Sequence, residues 1–167
     1  MRWNLSRKGY NAPARPRAAS YPRLVFTASV TPKELKRHLT DAGFQVFRTV
    51  GTRLVLADRV RDNLILDSGV SVDAEEPHRV RFAVRTQARD YPAEASEALT
   101  ARARAVGAAS LSAGYAEVGV EIIPVHDPGD ADKVLDTRYE VAFEKGGLSV
   151  EQVIVELRYA MGFIRAA

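Results

Sequence analysis

Residues 135–144 alternate between charged side chains and side chains that suit a protein interior. A period of two predicts a β-strand with one face buried and the other in water. A sheet of such strands needs a second layer over one face only, which limits the chain to few architectures. The inward positions are Leu135, Thr137, Tyr139, Val141 and Phe143, and the outward positions are Asp136, Arg138, Glu140 and Glu144.

Two segments that could cover such a sheet begin with the same capping pattern. Thr31 precedes Pro32 at the first helical position, and Glu34 stands where its carboxylate can return to the N-cap. Ser149 and Gln152 repeat the spacing near the end of the chain. Both segments are therefore predicted to be amphipathic helices with defined starts.

The other segments predict several strands and one more helix. An alanine-rich helix follows Asp90-Tyr91-Pro92, with a break or kink at Gly107. Asp127-Pro128-Gly129-Asp130 predicts a type II turn, in which Gly129 has a positive φ. Around Asp67-Ser68-Gly69 we expect a short strand or a hairpin. Strands are expected at residues 23–29, 44–50, 53–60, 78–86 and 117–125.

The element order β-α-β-β-(β)-β-α-β-β-α predicts a two-layer α+β domain. We expect a mostly antiparallel sheet of about five to seven strands with three helices on one face. A duplicated ferredoxin-like arrangement is the alternative. The domain is expected to span residues 23–167, after an extended arm at residues 1–22.

From residue 31 onward, the order helix, three strands, helix, two strands, helix resembles the type III secretion chaperone-like fold. Bacterial sensory-transduction-regulator proteins share that fold. The stretch Gly147-Leu148-Ser149-Val150-Glu151-Gln152-Val153, after an alternating strand, is similar to the way the fold enters its last helix. The resemblance implies a non-enzymatic, dimeric binder of other polypeptides.

The first 23 residues carry six basic side chains and no acidic one. The other 144 residues hold 18 basic and 21 acidic side chains, a net charge of about −3. A cationic segment gains most from an acidic or polyanionic surface. Three prolines favour an extended conformation, and three aromatic rings can stack or fill pockets. The predicted partner-binding residues are Arg2, Trp3, Arg7, Lys8, Tyr10, Arg15, Arg17 and Tyr21.

Several kinds of chemistry lack a sequence signature. There is no cysteine, so disulfides and thiolate metal sites are excluded. No nucleophile, zinc-protease, P-loop or dinucleotide motif accompanies His38, His78 or His126, and we expect neither catalysis nor a cofactor. The acids between Asp127 and Asp136 are the best metal candidate, but their spacing does not fit an EF-hand, and an ordinary polar turn is expected there.

A second candidate surface is a basic strand face. Arg79, Arg81 and Arg85 alternate with apolar residues and are the candidate phosphate-binding side chains. Phe82 faces the opposite way, so Phe47 is the candidate ring for stacking on a base. Nearby acids would instead make this an ordinary solvated face.

We therefore expect a non-catalytic adaptor or chaperone-like protein whose arm binds an acidic surface of another protein, of a larger assembly or of a second copy. Sequence-independent nucleic-acid binding through the arm and the arginine face is the alternative. No apolar run reaches the roughly 20 residues of a membrane helix. We expect a cytoplasmic protein, with organelle targeting through the arm as the alternative.

Overall fold

The computed structural model describes residues 30–61 and 64–166, and within them six strands and three α-helices. The α+β prediction is confirmed, whereas the predicted strand at 23–29 and the arm lie outside the described residues. The helices are α1 (Pro32–Asp41), α2 (Ser96–Gly107) and α3 (Val150–Ala166). The strands are β1 (Val46–Val50), β2 (Arg53–Arg61), β3 (Leu64–Asp73), β4 (His78–Gln87), β5 (Ala116–Asp127) and β6 (Asp130–Leu148).

The strands form one antiparallel sheet in the order β1-β2-β3-β4-β6-β5. Among the described strands, β1 and β5 are its edges, and only the β4–β6 ladder joins strands that do not follow one another in the chain, because α2 and β5 come between them. The four strands between α1 and α2 include the one that the sequence left optional.

Both predicted helix caps are present. The backbone N–H of Glu34 donates to Thr31 Oγ1 (3.3 Å), and the N–H of Thr31 donates to Glu34 Oε2 (2.9 Å). At α3, the N–H of Ser149 donates to Gln152 Oε1 (2.9 Å). A cap of this kind stabilises a helix by about 1 kcal/mol, so the two motifs fix where α1 and α3 begin.

The helices pack on one face of the sheet around an aromatic centre. Phe82 of β4 lies with its ring centroid 5.1 Å from Tyr115, 5.6 Å from Phe143 and 5.1 Å from Phe163 of α3. Full burial of an aromatic or large aliphatic side chain contributes about 1.5–3 kcal/mol. The same hydrophobic cluster takes in side chains from α1, α2, α3 and strands β2, β3, β4 and β6.

Gly107 ends α2, and the chain continues as a 3-10 helix at Ala108–Ala113. A Cβ at Gly107 would lie 2.0 Å from Phe143 Cε2, so only glycine lets the helix approach the sheet this closely. Helix α2 starts at Ser96, later than the sequence suggested, because residues 91–94 form a separate turn in which the N–H of Glu94 donates to the carbonyl of Tyr91 (3.0 Å).

Residues 64–73 form one strand instead of a hairpin around Asp67. The turn-forming residues instead make a bulge within β3, where the register against β2 shifts. Gly69 has φ +77°, and its N–H donates to Asp67 Oδ1 (2.8 Å). Ser68 Oγ donates to the carbonyl of Leu56 across the ladder (2.9 Å), which satisfies a backbone group that the bulge leaves unpaired.

The hairpin between β5 and β6 turns at Pro128-Gly129 as expected, but the type II prediction is wrong. Gly129 is not among the glycines with positive φ. Its N–H instead donates to Asp127 Oδ1 (2.9 Å), a side-chain contact that stabilises the turn without a left-handed residue.

The alternation in β6 also needs a correction at its start. Leu135 is 52% exposed and Asp136 is buried. Strand β4 ends in register with Arg138, so Leu135 lies beyond the core, while Asp136 Oδ1 accepts from the N–H of Arg89 (3.0 Å).

Candidate functional site

The predicted arginine face lies on the side of the sheet opposite the helices. Arg79, Arg81 and Arg85 alternate along β4 with the buried Val80, Phe82 and Val84. In register with them, β6 places Glu144 opposite Arg81 and Glu140 opposite Arg85. The two neighbouring strands therefore bring acidic and basic residues onto the same surface.

These side chains form a network of ion pairs. Arg85 Nε donates to Glu140 Oε1 (2.8 Å), and Arg138 Nε lies 2.7 Å from the same oxygen. Arg85 also reaches the Asp67 backbone carbonyl (3.3 Å), and Asp67 pairs with Arg48 on β1 (3.3 Å). Charges thus link β1 to β6 across the sheet.

The other two arginines of β4 are paired as well. Arg81 lies 3.2 Å from Glu121 on β5, and Arg79 lies 3.8 Å from Asp73 on β3. The network borders a shallow concavity of about 260 Å³. Because each predicted phosphate-binding arginine has a carboxylate within 4 Å, the face is nearly neutral instead of strongly cationic. Phosphate binding by these three side chains stays a prediction.

The aromatic part of that prediction is divided between core and surface. Phe82 is fully buried among the helices, as its alternation indicated. Phe47 on the edge strand β1 is 43% exposed. Among the described residues, one ring of the two is therefore accessible for stacking.

The β5 edge exposes more large apolar side chains than Phe47 alone provides on the β1 edge. Val118, Val120 and Ile122 are 48%, 40% and 59% exposed. Val120 and Ile122 pair with Val141 and Tyr139 of β6, so they project to the helix side of the sheet. Helix α2 packs over β4 and β6 and leaves these two side chains uncovered. A long edge strand with exposed β-branched residues can pair with a further strand.

Acidic groups border this edge. Arg104 of α2 donates to Glu117 (2.8 Å), and that contact lowers the pKa of the Glu117 carboxyl. The tip of the β5–β6 hairpin extends past the end of β4 and has three acidic residues, Asp127, Asp130 and Asp132, and one basic residue, Lys133. Lys133 pairs with Asp127 at 3.2 Å. The tip is therefore net negative.

The tip was also the sequence-based metal candidate. Its carboxylates are engaged separately, since Asp127 accepts from Gly129 and Asp130 Oδ1 accepts from the N–H of Asp132 (3.1 Å). Within residues 30–61 and 64–166, no three carboxylate or imidazole groups converge in a way that could hold a metal ion. The arrangement is that of a polar turn.

The histidines lie in separate environments. His38 is exposed on α1 and His126 is exposed on β5. His78 is buried, with Nδ1 at 3.2 Å from the carbonyl of Asp73. The three do not share one site.

One partly buried polar cluster had no sequence signal. Tyr115 Oη donates to Glu156 Oε2 of α3 (3.1 Å), and Lys145 Nζ of β6 donates to the other carboxylate oxygen (2.5 Å). Burial, together with the Glu156 charge, raises the pKa of Tyr115. These residues are distant in the chain, so only the fold brings them together, and they tie α3 to the sheet.

The predicted arm residues Arg2, Trp3, Arg7, Lys8, Tyr10, Arg15, Arg17 and Tyr21 lie outside the described residues. Among the described helices, none is long and apolar enough to cross a bilayer. No family model, no curated protein and no solved structure matches this chain. The candidate function therefore rests on the edge of the sheet and on the charges around it.

Proposed function

We propose that this protein is a non-catalytic assembly protein whose β5 edge binds the basic arm, residues 1–22, of a second copy. The observation that supports the proposal most directly is the exposure of Val118, Val120 and Ile122 on a strand that is an edge of the sheet formed by the described residues. Addition of an extended segment to such an edge is a general mode of polypeptide recognition.

The lengths of the two segments agree. Pro124 interrupts the β5 edge, because proline lacks the backbone N–H that a further strand would use, and leaves Ala116–Ile123 for pairing. The arm has a stretch without proline at residues 2–12. An antiparallel or parallel ladder of about eight residues is long enough for a stable strand.

The chemistry of the two segments is also complementary. Trp3 and Leu5 stand two positions apart, so in a strand they would face the same side and could contact Val120 and Ile122. In the parallel direction, with Trp3 beside Val120 and Leu5 beside Ile122, Arg7 and Lys8 would lie near a tip with three aspartates and one lysine. Opposite charges favour the correct partner and accelerate encounter.

Binding without catalysis agrees with what the type III secretion chaperone-like resemblance implies, and a cytoplasmic location is part of the proposal. The arginine–carboxylate network makes the nucleic-acid alternative weaker for the sheet, since a neutral face gains little from phosphate contact.

The test compares self-association of the full chain with that of two variants. Ile122→Lys places a charge on the β5 edge, and deletion of residues 1–22 removes the proposed ligand. Both should weaken association by roughly tenfold or more, measured by sedimentation velocity over a concentration series. Val155→Lys is the matched control, because Val155 is 63% exposed on α3, away from the edge.

A synthetic peptide of residues 1–22 gives an independent measurement. It should bind the arm-deleted chain, and its affinity should fall as salt screens the charges. A full chain that is monomeric at all concentrations would contradict the proposal. So would association that survives the arm deletion. Binding of a single-stranded oligonucleotide that depends on the arm but not on Ile122 would favour the nucleic-acid alternative.

A further inference from the structure

A second cavity lies away from the β5 edge, between the C-terminal half of α3 and the β1–β2 end of the sheet. It encloses about 420 Å³, within the usual range for small-molecule sites. Three segments form its wall: the turn after α1, strand β2 and helix α3. Its lining residues are Gly43, Phe44, Gln45, Ala57, Arg59, Arg158, Met161, Gly162 and Arg165.

The cavity collects three arginines. Arg59 comes from β2, and Arg158 and Arg165 come from α3. Arg165 pairs with Asp58 (2.8 Å). Within the described residues, Arg59 and Arg158 have no carboxylate within 4 Å. Three guanidinium groups against one carboxylate leave an excess of positive charge around one small volume.

This arrangement differs from that of the arginine–carboxylate network. There, Arg79, Arg81 and Arg85 each have an acidic neighbour. Arg59, Arg158 and Arg165 are exposed side chains around one cavity. Like charges around one volume repel one another, and an anion that binds there relieves the repulsion. Guanidinium groups suit phosphate because they donate two parallel hydrogen bonds.

Gly162 leaves the backbone of α3 accessible beside this cavity. It lies inside α3 between Arg158 and Arg165, and a Cβ there would meet no atom within 4 Å. Glycine in a helix interior is less stable than alanine. Gly107 in α2 is explained by Phe143, whereas no contact within the described protein explains Gly162. Close approach of a ligand to the helix backbone would require it.

The rest of the wall is apolar. Phe44 is half-buried against the core, and Met161 is 8% exposed. Arg158 and Arg165 are two turns apart on the helix, about 10 Å. A ligand could thus place its phosphates between the arginines and its planar or apolar part against Phe44 and Met161.

We propose that this cavity binds a phosphorylated small molecule of about mononucleotide size. The chemical class follows from Arg59 and Arg158, which have no carboxylate partner among the described residues. The size follows from the volume, and the proposed approach to α3 from Gly162. The site is separate from the β5 edge, so it can be tested independently of the assembly proposal.

The first experiment measures the thermal stability of the full chain with three probes: ADP, inorganic pyrophosphate and adenosine. A ligand that binds only the native state raises Tm. We expect ADP at millimolar concentration to raise Tm by about 2 °C or more, pyrophosphate to raise it less, and adenosine to leave it unchanged. Calorimetric titration then gives the affinity for ADP.

Two variants test the site itself. The double substitution Arg59→Ala and Arg158→Ala should weaken ADP binding by roughly tenfold or more. Arg37→Ala, an exposed arginine of α1, is the control for a general loss of positive charge. Gly162→Ala should weaken ADP binding while the Tm of the ligand-free chain stays equal or rises. That combination cannot come from a damaged fold.

Three results would overturn the proposal: no response to ADP or pyrophosphate at millimolar concentration, equal affinity in the double variant and the wild type, or ADP affinity that is unchanged by Gly162→Ala. Binding of a single-stranded oligonucleotide in this cavity, without binding of ADP, would also overturn it and would favour a nucleic-acid ligand.

Discussion

Strands β4 and β6 present two faces that are filled in different ways. On the helix side, Phe82 and Phe143 stack in a core from which water is excluded. On the other side, Arg85 and Glu140 pair in the same register. The helix side is stabilised by apolar burial and the other side by charge pairing.

This difference indicates which face determines the stability of the fold. Apolar burial contributes about 25 cal/mol per Å², does not involve titrating groups, and is not screened by salt as an ion pair is. A partly exposed ion pair gains little over the hydration that it replaces, and salt weakens it. We therefore expect the helix side to account for most of the stability. The side opposite the helices, called the open side below, should account for the pH dependence and for the position of β6 relative to β4.

Phe82→Ala should produce the largest loss. The substitution leaves a cavity among Tyr115, Phe143 and Phe163 and should lower the free energy of unfolding by about 3–5 kcal/mol. Urea denaturation followed by circular dichroism measures the change. Phe82→Leu is the control, and a loss as large as that of the alanine variant would show that cavity size does not determine the effect.

Glu140→Ala should have an intermediate effect. It removes the carboxylate that both Arg85 and Arg138 contact and leaves two partly buried cations without it. We expect a loss of about 1–3 kcal/mol in the free energy of unfolding, and Arg85→Leu in the same chain should recover part of it. A loss equal to that of Phe82→Ala would contradict the proposed difference between the faces.

Asp73 makes the open side sensitive to acid. Burial raises the pKa of its carboxyl. The N–H of Glu75, the Thr52 hydroxyl and two arginines together lower it by more, so the folded-state pKa lies below the usual 3.8. Such a group stabilises the fold above its unfolded-state pKa, and the contribution is lost as pH falls through the folded-state pKa. Between about pH 5 and pH 2, Tm should fall less steeply in Asp73→Asn than in the wild type. Equal slopes would contradict the assignment.

Arg81→Ala should have the smallest effect. Its partner Glu121 is 58% exposed at the side chain, so water screens the pair. We expect a change within about 0.5 kcal/mol, and a double-mutant cycle with Glu121→Ala should give a coupling below about 1 kcal/mol. A larger coupling would mean that the open face contributes more to stability than its exposure indicates.

The sequence predicted the parts of the fold that depend on local interactions. The Thr31 and Ser149 caps and the alternation in β4 involve residues a few positions apart. Their patterns can therefore be recognised from the sequence alone. Gly129 and the Asp67-Ser68-Gly69 segment show the limit. The same turn residues suit a hairpin, a type II turn or a bulge, and the neighbouring strand decides among them.

The candidate sites were less predictable because they depend on contacts between distant segments. Arg79, Arg81 and Arg85 were placed on one strand face from the sequence, but their carboxylate partners come from three other strands. The cavity around Arg59 and Arg158 joins residues about a hundred positions apart. Exposure of Ile122 depends on how far α2 reaches across the sheet.

The single ladder between non-consecutive strands has a consequence for folding kinetics. Strands β1 to β4 can form by successive hairpins, and β5 and β6 by another, because these pairings are local. The β4–β6 ladder joins residues such as Arg85 and Glu140, which are 55 positions apart. Closing that distance costs the most chain entropy before any contact is gained. We therefore expect substitutions along this ladder to slow folding, and substitutions in the β5–β6 hairpin mainly to accelerate unfolding.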